Sequence, residues 1–210
     1  MKATSHNRLT LAASLALLAG SGQALAHHPM GGETPSTLWQ GLLSGLGHPI
    51  IGMDHLAFIV AVGLLCAFAG WRSPALPLAL VAATVLGAAL QWGGFTLPHV
   101  ELVVAASVIA AGFLLVRAPG QPGMAGLAGA LAAVFHGLAY GEAIIGAEPA
   151  PLGAYLVGFS LIQMLIAGIA FVAGRAALGH GPRISRTTRT LSAAVISGIG
   201  LLALSSAALT

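Results

Sequence analysis

Charge is what this chain has least of. Only 6% of its 210 residues are Asp, Glu, Lys or Arg, against about 25% in an ordinary soluble domain, while hydrophobic residues make up 57%. That balance excludes a soluble globular fold. It also excludes a nucleic-acid surface, because no basic cluster with interleaved aromatic residues occurs. Cysteine is nearly missing. Cys66 stands alone, so no intramolecular disulfide can form and a thiolate cage for a metal is ruled out. Any metal chemistry must use nitrogen and oxygen.

What the chain has instead is apolar length. Lys2 and Arg8 precede an apolar core at residues 9–19, and Gly20-Ser21-Gly22-Gln23 then leads to Ala24-Leu25-Ala26. This is the layout of a secretory signal peptide, residues 1–26, cleaved after Ala26; the alternative is an uncleaved anchor helix. Cleavage leaves a periplasmic segment, residues 27–49, beginning His27-His28-Pro29. A free terminal amine beside two imidazoles offers weak metal capture, although such a segment is ordinarily a polar tail. Residues 33–46 read as a short pre-helix, with a start signal at Pro35-Ser36 and an interfacial anchor at Trp39. Six longer apolar runs follow, approximately 50–71, 74–92, 100–116, 124–145, 152–173 and 191–209. Each has the ~17–25 residues that crossing a bilayer requires. The expectation is an all-α integral membrane protein, with six transmembrane helices in residues 50–210 after the signal peptide.

The connections orient it. With the mature N-terminus outside, Arg72, Arg117, Arg175, Arg183, Arg186 and Arg189 fall on the cytoplasmic side, and the opposite loops, residues 93–99 and 146–151, contain no Lys or Arg. That is the positive-inside distribution. It places the protein in the inner membrane with both termini periplasmic. Glycines such as Gly123, Gly126, Gly129, Gly153, Gly158, Gly168 and Gly174 read as close-packing positions between helices.

Orientation assigns a depth to every ionisable residue. His48, Asp54 and His55 lie at the outer start of the first run, His99 and Glu101 at the outer start of the third. His136 and Glu142 lie in the outer half of the fourth, and Glu148 in the loop beyond it. Ionisable groups within a span cost about 2.5–3.5 kcal/mol or more at the bilayer centre, which makes them functional by default. No arginine shares that half, so a cation is the natural partner. Pro49 and Gly52 disfavour a regular helix from His48, and a broken start would turn His48, Asp54 and His55 inward. His136 and Tyr140, four apart, share a helix face; Glu142 lies off it unless Gly141 unwinds the end, and is otherwise a solvated terminal residue. His99 and Glu101 follow Pro98 and read equally well as interfacial polar residues.

His48-Pro49-x-x-Gly52-x-Asp54-His55, together with Phe135-His136-Gly137 followed by Ala139 and an acidic residue, resembles the HupE/UreJ family of hydrogenase- and urease-associated nickel permeases. The similarity covers essentially the whole chain. It implies passage of Ni2+, with Co2+ or Zn2+ as alternatives, and no permanently bound cofactor. It also implies a link to hydrogenase or urease maturation. By the same resemblance His48, Asp54, His55, His136 and Glu142 handle the metal, with Glu148 the more distant acidic candidate. Imidazole and carboxylate alone do not separate nickel from cobalt or zinc. Two other classes use the same residue types: an intramembrane haem or redox protein with axial histidines, and a zinc-dependent intramembrane hydrolase, although no His-Glu-x-x-His occurs.

Overall fold

Thr37 is extended and its hydroxyl accepts from the Gln40 backbone N–H at 3.2 Å, which satisfies one of the orphan donors at the start of a helix. That helix, α1 (Leu38–Ile51), runs on through His48 and Pro49 and stops at Gly52, where the backbone turns extended. Helix α2 (Met53–Phe68) resumes at once but is bent from α1 by 78°. Pro49 has no N–H to return to the preceding turn, so the last turn of α1 is weakened just before the break. The broken start expected from Pro49 and Gly52 is present. The expected pre-helix and the first run differ from it in their boundaries, because α1 continues to the bend.

The computed structural model describes residues 34–71, 73, 75–117, 122–142 and 144–209; the expected signal peptide, His27 and His28 lie outside them. Beyond α2 come α3 (Ala75–Trp92), α4 (Val100–Val116), α5 (Pro122–Glu142), α6 (Pro149–Gly179) and α7 (Pro182–Ala207), and no strand occurs among the described residues. Of these, α3, α6 and α7 are each long and apolar enough to cross a membrane, and α1 and α2 qualify together as one bent pair.

Small residues decide which helices touch. A side chain at Gly41 would strike the backbone of Pro151, and one at Gly45 that of Tyr155, so α1 lies directly on the first turns of α6. Farther on, Gly63 of α2 meets Ala167. Partners rise together in number, so α1 and then α2 follow α6 in the same direction. Helices α3 and α5 also run in one direction, with Gly129 against Leu80 and Gly141 against Gln91. In α4 and α7 the order is reversed, Gly112 meeting Ser197 and Gly200 meeting Ile109, so that pair is antiparallel. Of the glycines singled out in the sequence, Gly158 and Gly174 are such close contacts, whereas Gly153 and Gly168 face nothing within 4 Å.

Many large apolar side chains point outward while alanines pack inside, beside a smaller set of buried large ones such as Phe58, Leu138 and Phe159. Val157, Leu161, Leu165, Ile169 and Val172 form an exposed stripe on α6, while Ala57, Ala61, Ala67, Ala88 and Ala105 are buried. That inversion suits an apolar solvent, in which helices associate by close packing rather than by hiding Leu. The arginine-bearing connection is mostly helical: Arg175 lies in α6 and Arg183, Arg186 and Arg189 in α7, leaving a turn at His180 and Gly181. Arg189 donates through Nε to the Leu115 carbonyl at 2.9 Å, satisfying an acceptor that the end of α4 leaves open.

Candidate functional site

The bend between α1 and α2 places His48 in the last turn of one helix and Asp54 and His55 in the first turn of the next, and α5 brings His136 against them. All four are buried: His48 1%, His136 1%, His55 2% and Asp54 7% exposed. Gly52 is required by space. A Cβ there would lie 2.8 Å from Cδ2 of the His55 ring, so the hinge residue must be bare for His55 to fold back beside it. Asp54 sits where a buried carboxylate is least costly, in the first turn of α2, near the positive end of the helix dipole. Its Oδ1 accepts from the His55 backbone N–H at 2.8 Å.

The hydrogen bonds assign the imidazole tautomers. Tyr155 gives its hydroxyl proton to the Tyr140 carbonyl at 3.0 Å, so its contact with His48 Nδ1, also 3.0 Å, is one in which the imidazole N–H donates to the phenol oxygen. His48 thus turns Nδ1 toward Tyr155 and its Nε2 edge away from it. Ser107 likewise gives its proton to the Val104 carbonyl at 2.7 Å, so His136 Nε2–H donates to Ser107 Oγ at 2.9 Å. The lone pair of His136 is then on Nδ1, 2.8 Å from His55 Nδ1, and His55 donates there. Two imidazoles, each donating through Nδ1 to a fixed acceptor, match the way metal-binding histidines are oriented.

Aromatic rings wall the cluster. Tyr140 lies tilted over His55 at 4.3 Å and edge-on to His48 at 5.0 Å; Phe58 stacks on His136 at 4.1 Å. Beyond Phe58 and Ser107 an apolar cavity of about 130 Å³ extends past Val62 and Cys66 toward Trp71.

The structure thus brings together His48, Asp54, His55 and His136 and leaves the other expected residues at the surface. Glu142 is the last residue of α5 and exposed; Glu148 is exposed immediately before α6. His99, at φ 59, precedes α4, and Glu101 is in its first turn, both exposed. Among the described residues no three His, Cys, Asp or Glu side chains converge closely enough to hold a metal ion as they stand. Sequence reasoning missed Tyr155, Ser107 and Phe58. A signal was available: the chain has 2 tyrosines, and both lie at this cluster.

Chemically, the arrangement gathers imidazole nitrogen from His48 and His55 and carboxylate oxygen from Asp54 in a buried cluster. The Ser107 proton is directed at a carbonyl rather than at His136, so His136 does not activate Ser107 as a nucleophile.

Comparison with known proteins agrees with the sequence resemblance. Residues 15–203 match the family described as HupE / UreJ protein. Over 105 residues the chain is 34% identical to Protein HupE of Rhizobium leguminosarum bv. viciae, a match covering 48% of this chain and 54% of that one; the alignment thus spans about half the length of that relative. No solved structure matches. With His48, Asp54, His55 and His136 gathered at one bend, and a family match running through nearly all of the chain, this protein belongs to the HupE/UreJ family.

Proposed function

We propose that the protein is a membrane permease that carries a divalent transition metal, Ni2+ foremost, from the periplasm to the cytoplasm for metalloenzyme maturation. The observation that carries this reading is the burial of His48, Asp54 and His55 on the two sides of a helix break, with His136 behind them. Such groups are expensive in a membrane interior unless they serve an ion. In this reading six spans, α2 to α7, cross the inner membrane after a signal peptide cleaved behind Ala26. Alternating directions put the bend in the periplasmic half and Arg189 in the cytoplasmic half. The cation is cargo, and no resident cofactor is involved. His48 Nε2, His55 Nε2 and an Asp54 oxygen take it up as α1 and α2 close slightly about Gly52. Three mixed ligands hold it loosely enough for release, whereas a complete cage would retain it. Co2+ and Zn2+ accept the same donors; nickel, and the link to hydrogenase or urease maturation, come from the family reading.

Uptake of Ni2+, Co2+ and Zn2+ into cells or vesicles bearing the full chain tests the proposal, against His48→Ala and Asp54→Asn. Both variants are expected in the membrane at normal levels with nickel uptake lost. Undiminished uptake in both would remove the mechanism. Sequencing the N-terminus of the purified protein tests the signal peptide, with His27 expected first.

A further inference from the structure

Tyr140 is 1% exposed, yet its hydroxyl is the buried side-chain polar atom among the described residues that has no hydrogen-bond partner. Leaving such a group unmade is unfavourable. The position is also one where the tyrosine could have been a phenylalanine at no cost to packing: the ring already contacts His48, His55 and Phe159. The other tyrosine differs. Tyr155 uses its hydroxyl fully, between His48 Nδ1 and the Tyr140 carbonyl. A hydroxyl left unsatisfied on a ring packed against two candidate ligand imidazoles points to a partner that arrives with the cargo.

The ligand count says what that partner is. In the permease reading His48 Nε2, His55 Nε2 and Asp54 supply three donors once drawn together about Gly52, and a divalent ion of this class with octahedral or tetragonal coordination keeps water in its remaining positions. Inside a buried cluster that water needs hydrogen-bond partners of its own. We propose that the Tyr140 hydroxyl is a positioning group for a partly hydrated divalent cation, hydrogen-bonding a water that the ion retains in the site. This inference rests on the permease reading and adds to it that the cargo enters the site still carrying water.

The test uses the full-length protein in proteoliposomes with Ni2+ as the probe, comparing the parent chain, Tyr140→Phe and His48→Ala. In Tyr140→Phe the KM for nickel is expected to rise about 3- to 10-fold, the worth of one hydrogen bond. Its thermal midpoint in detergent should stay level or rise, because the change deletes an unsatisfied group. A KM within 2-fold of the parent, or a lowered midpoint, would overturn the inference, the latter by showing that the hydroxyl supports the fold. The control separates the two readings. If the parent chain moves no nickel, or His48→Ala moves as much, the permease reading fails; if those behave as expected and Tyr140→Phe does not, only the water-anchoring role fails.

Discussion

His55 and His136, 81 residues apart in sequence, meet Nδ1 to Nδ1 at 2.8 Å, and the proton between them belongs to His55. That follows from Ser107, whose own proton goes to Val104 and which therefore accepts from the far side of the His136 ring. His136 is thus an orienting acceptor for His55, held by Ser107 and by the stacked ring of Phe58.

A substitution pair tests that assignment. His136→Ala removes the acceptor and should weaken nickel affinity about 10- to 100-fold, the usual cost of losing a partner behind a metal ligand. His136→Gln offers a carbonyl oxygen in its place and should retain most of the affinity. Equal and complete loss in both, read as KM in vesicle uptake, would instead make His136 a direct ligand.

Tyr155 does for His48 what His136 does for His55. Tyr155→Phe removes the acceptor of the His48 Nδ1–H and the donor to the Tyr140 carbonyl. The expected outcome is an increase in KM of roughly 10-fold, with stability lowered by about 1 kcal/mol. Uptake kinetics and a thermal midpoint in detergent measure the two effects.

Gly52→Ala adds one methyl group at the bend. The backbone there, φ −73 and ψ 99, is open to alanine, so the cost is steric. The new Cβ would press on the His55 ring at 2.8 Å. His55, locked by Tyr140 and His136, is expected to shift, raising KM for nickel severalfold while the protein still folds. Overpacking of this kind costs ~1–3 kcal/mol, which a denaturation midpoint resolves. An unchanged KM would show that the ring position is not critical.

Glu142 and Glu148 are exposed, so they act on the cation at a distance if at all. Glu142→Gln should lower uptake a few-fold at low ionic strength, and the difference should shrink above about 0.15 M salt, where the Debye length is about 8 Å. Asp54→Asn, inside the cluster, should abolish uptake at every ionic strength. A salt-independent loss in Glu142→Gln would place that carboxylate on the ion.

Much of this was legible in the residues. The apolar runs and the helix-breaking Pro49 and Gly52 announced helices and a break, because composition and backbone chemistry act locally. The inward turn of His48, Asp54 and His55 followed from the cost of charge in an apolar medium. What stayed hidden depends on long-range contact. Pairing of α1 with α6 rests on Gly41 and Gly45 meeting Pro151 and Tyr155, and no local pattern names those partners. Ser107 looks like any small polar residue in an apolar run until α4 lies beside α5. Glu142 shows the reverse: sequence proximity to His136 suggested a shared site, but α5 stays regular to its last residue and leaves the carboxylate outside.

The apolar cavity behind Phe58 and Ser107 has an electrical consequence. An apolar stretch of low dielectric is where a transmembrane voltage falls most steeply, and the cluster at the bend lies at the Phe58 and Ser107 end of it. Each elementary charge moved through the full potential is worth about 2.3 kcal/mol per 100 mV, and a divalent ion gains twice that. In the permease reading, loading at His48 and His55 should therefore be almost indifferent to voltage and passage beyond Ser107 steeply dependent on it, which flux measured at a series of imposed potentials checks.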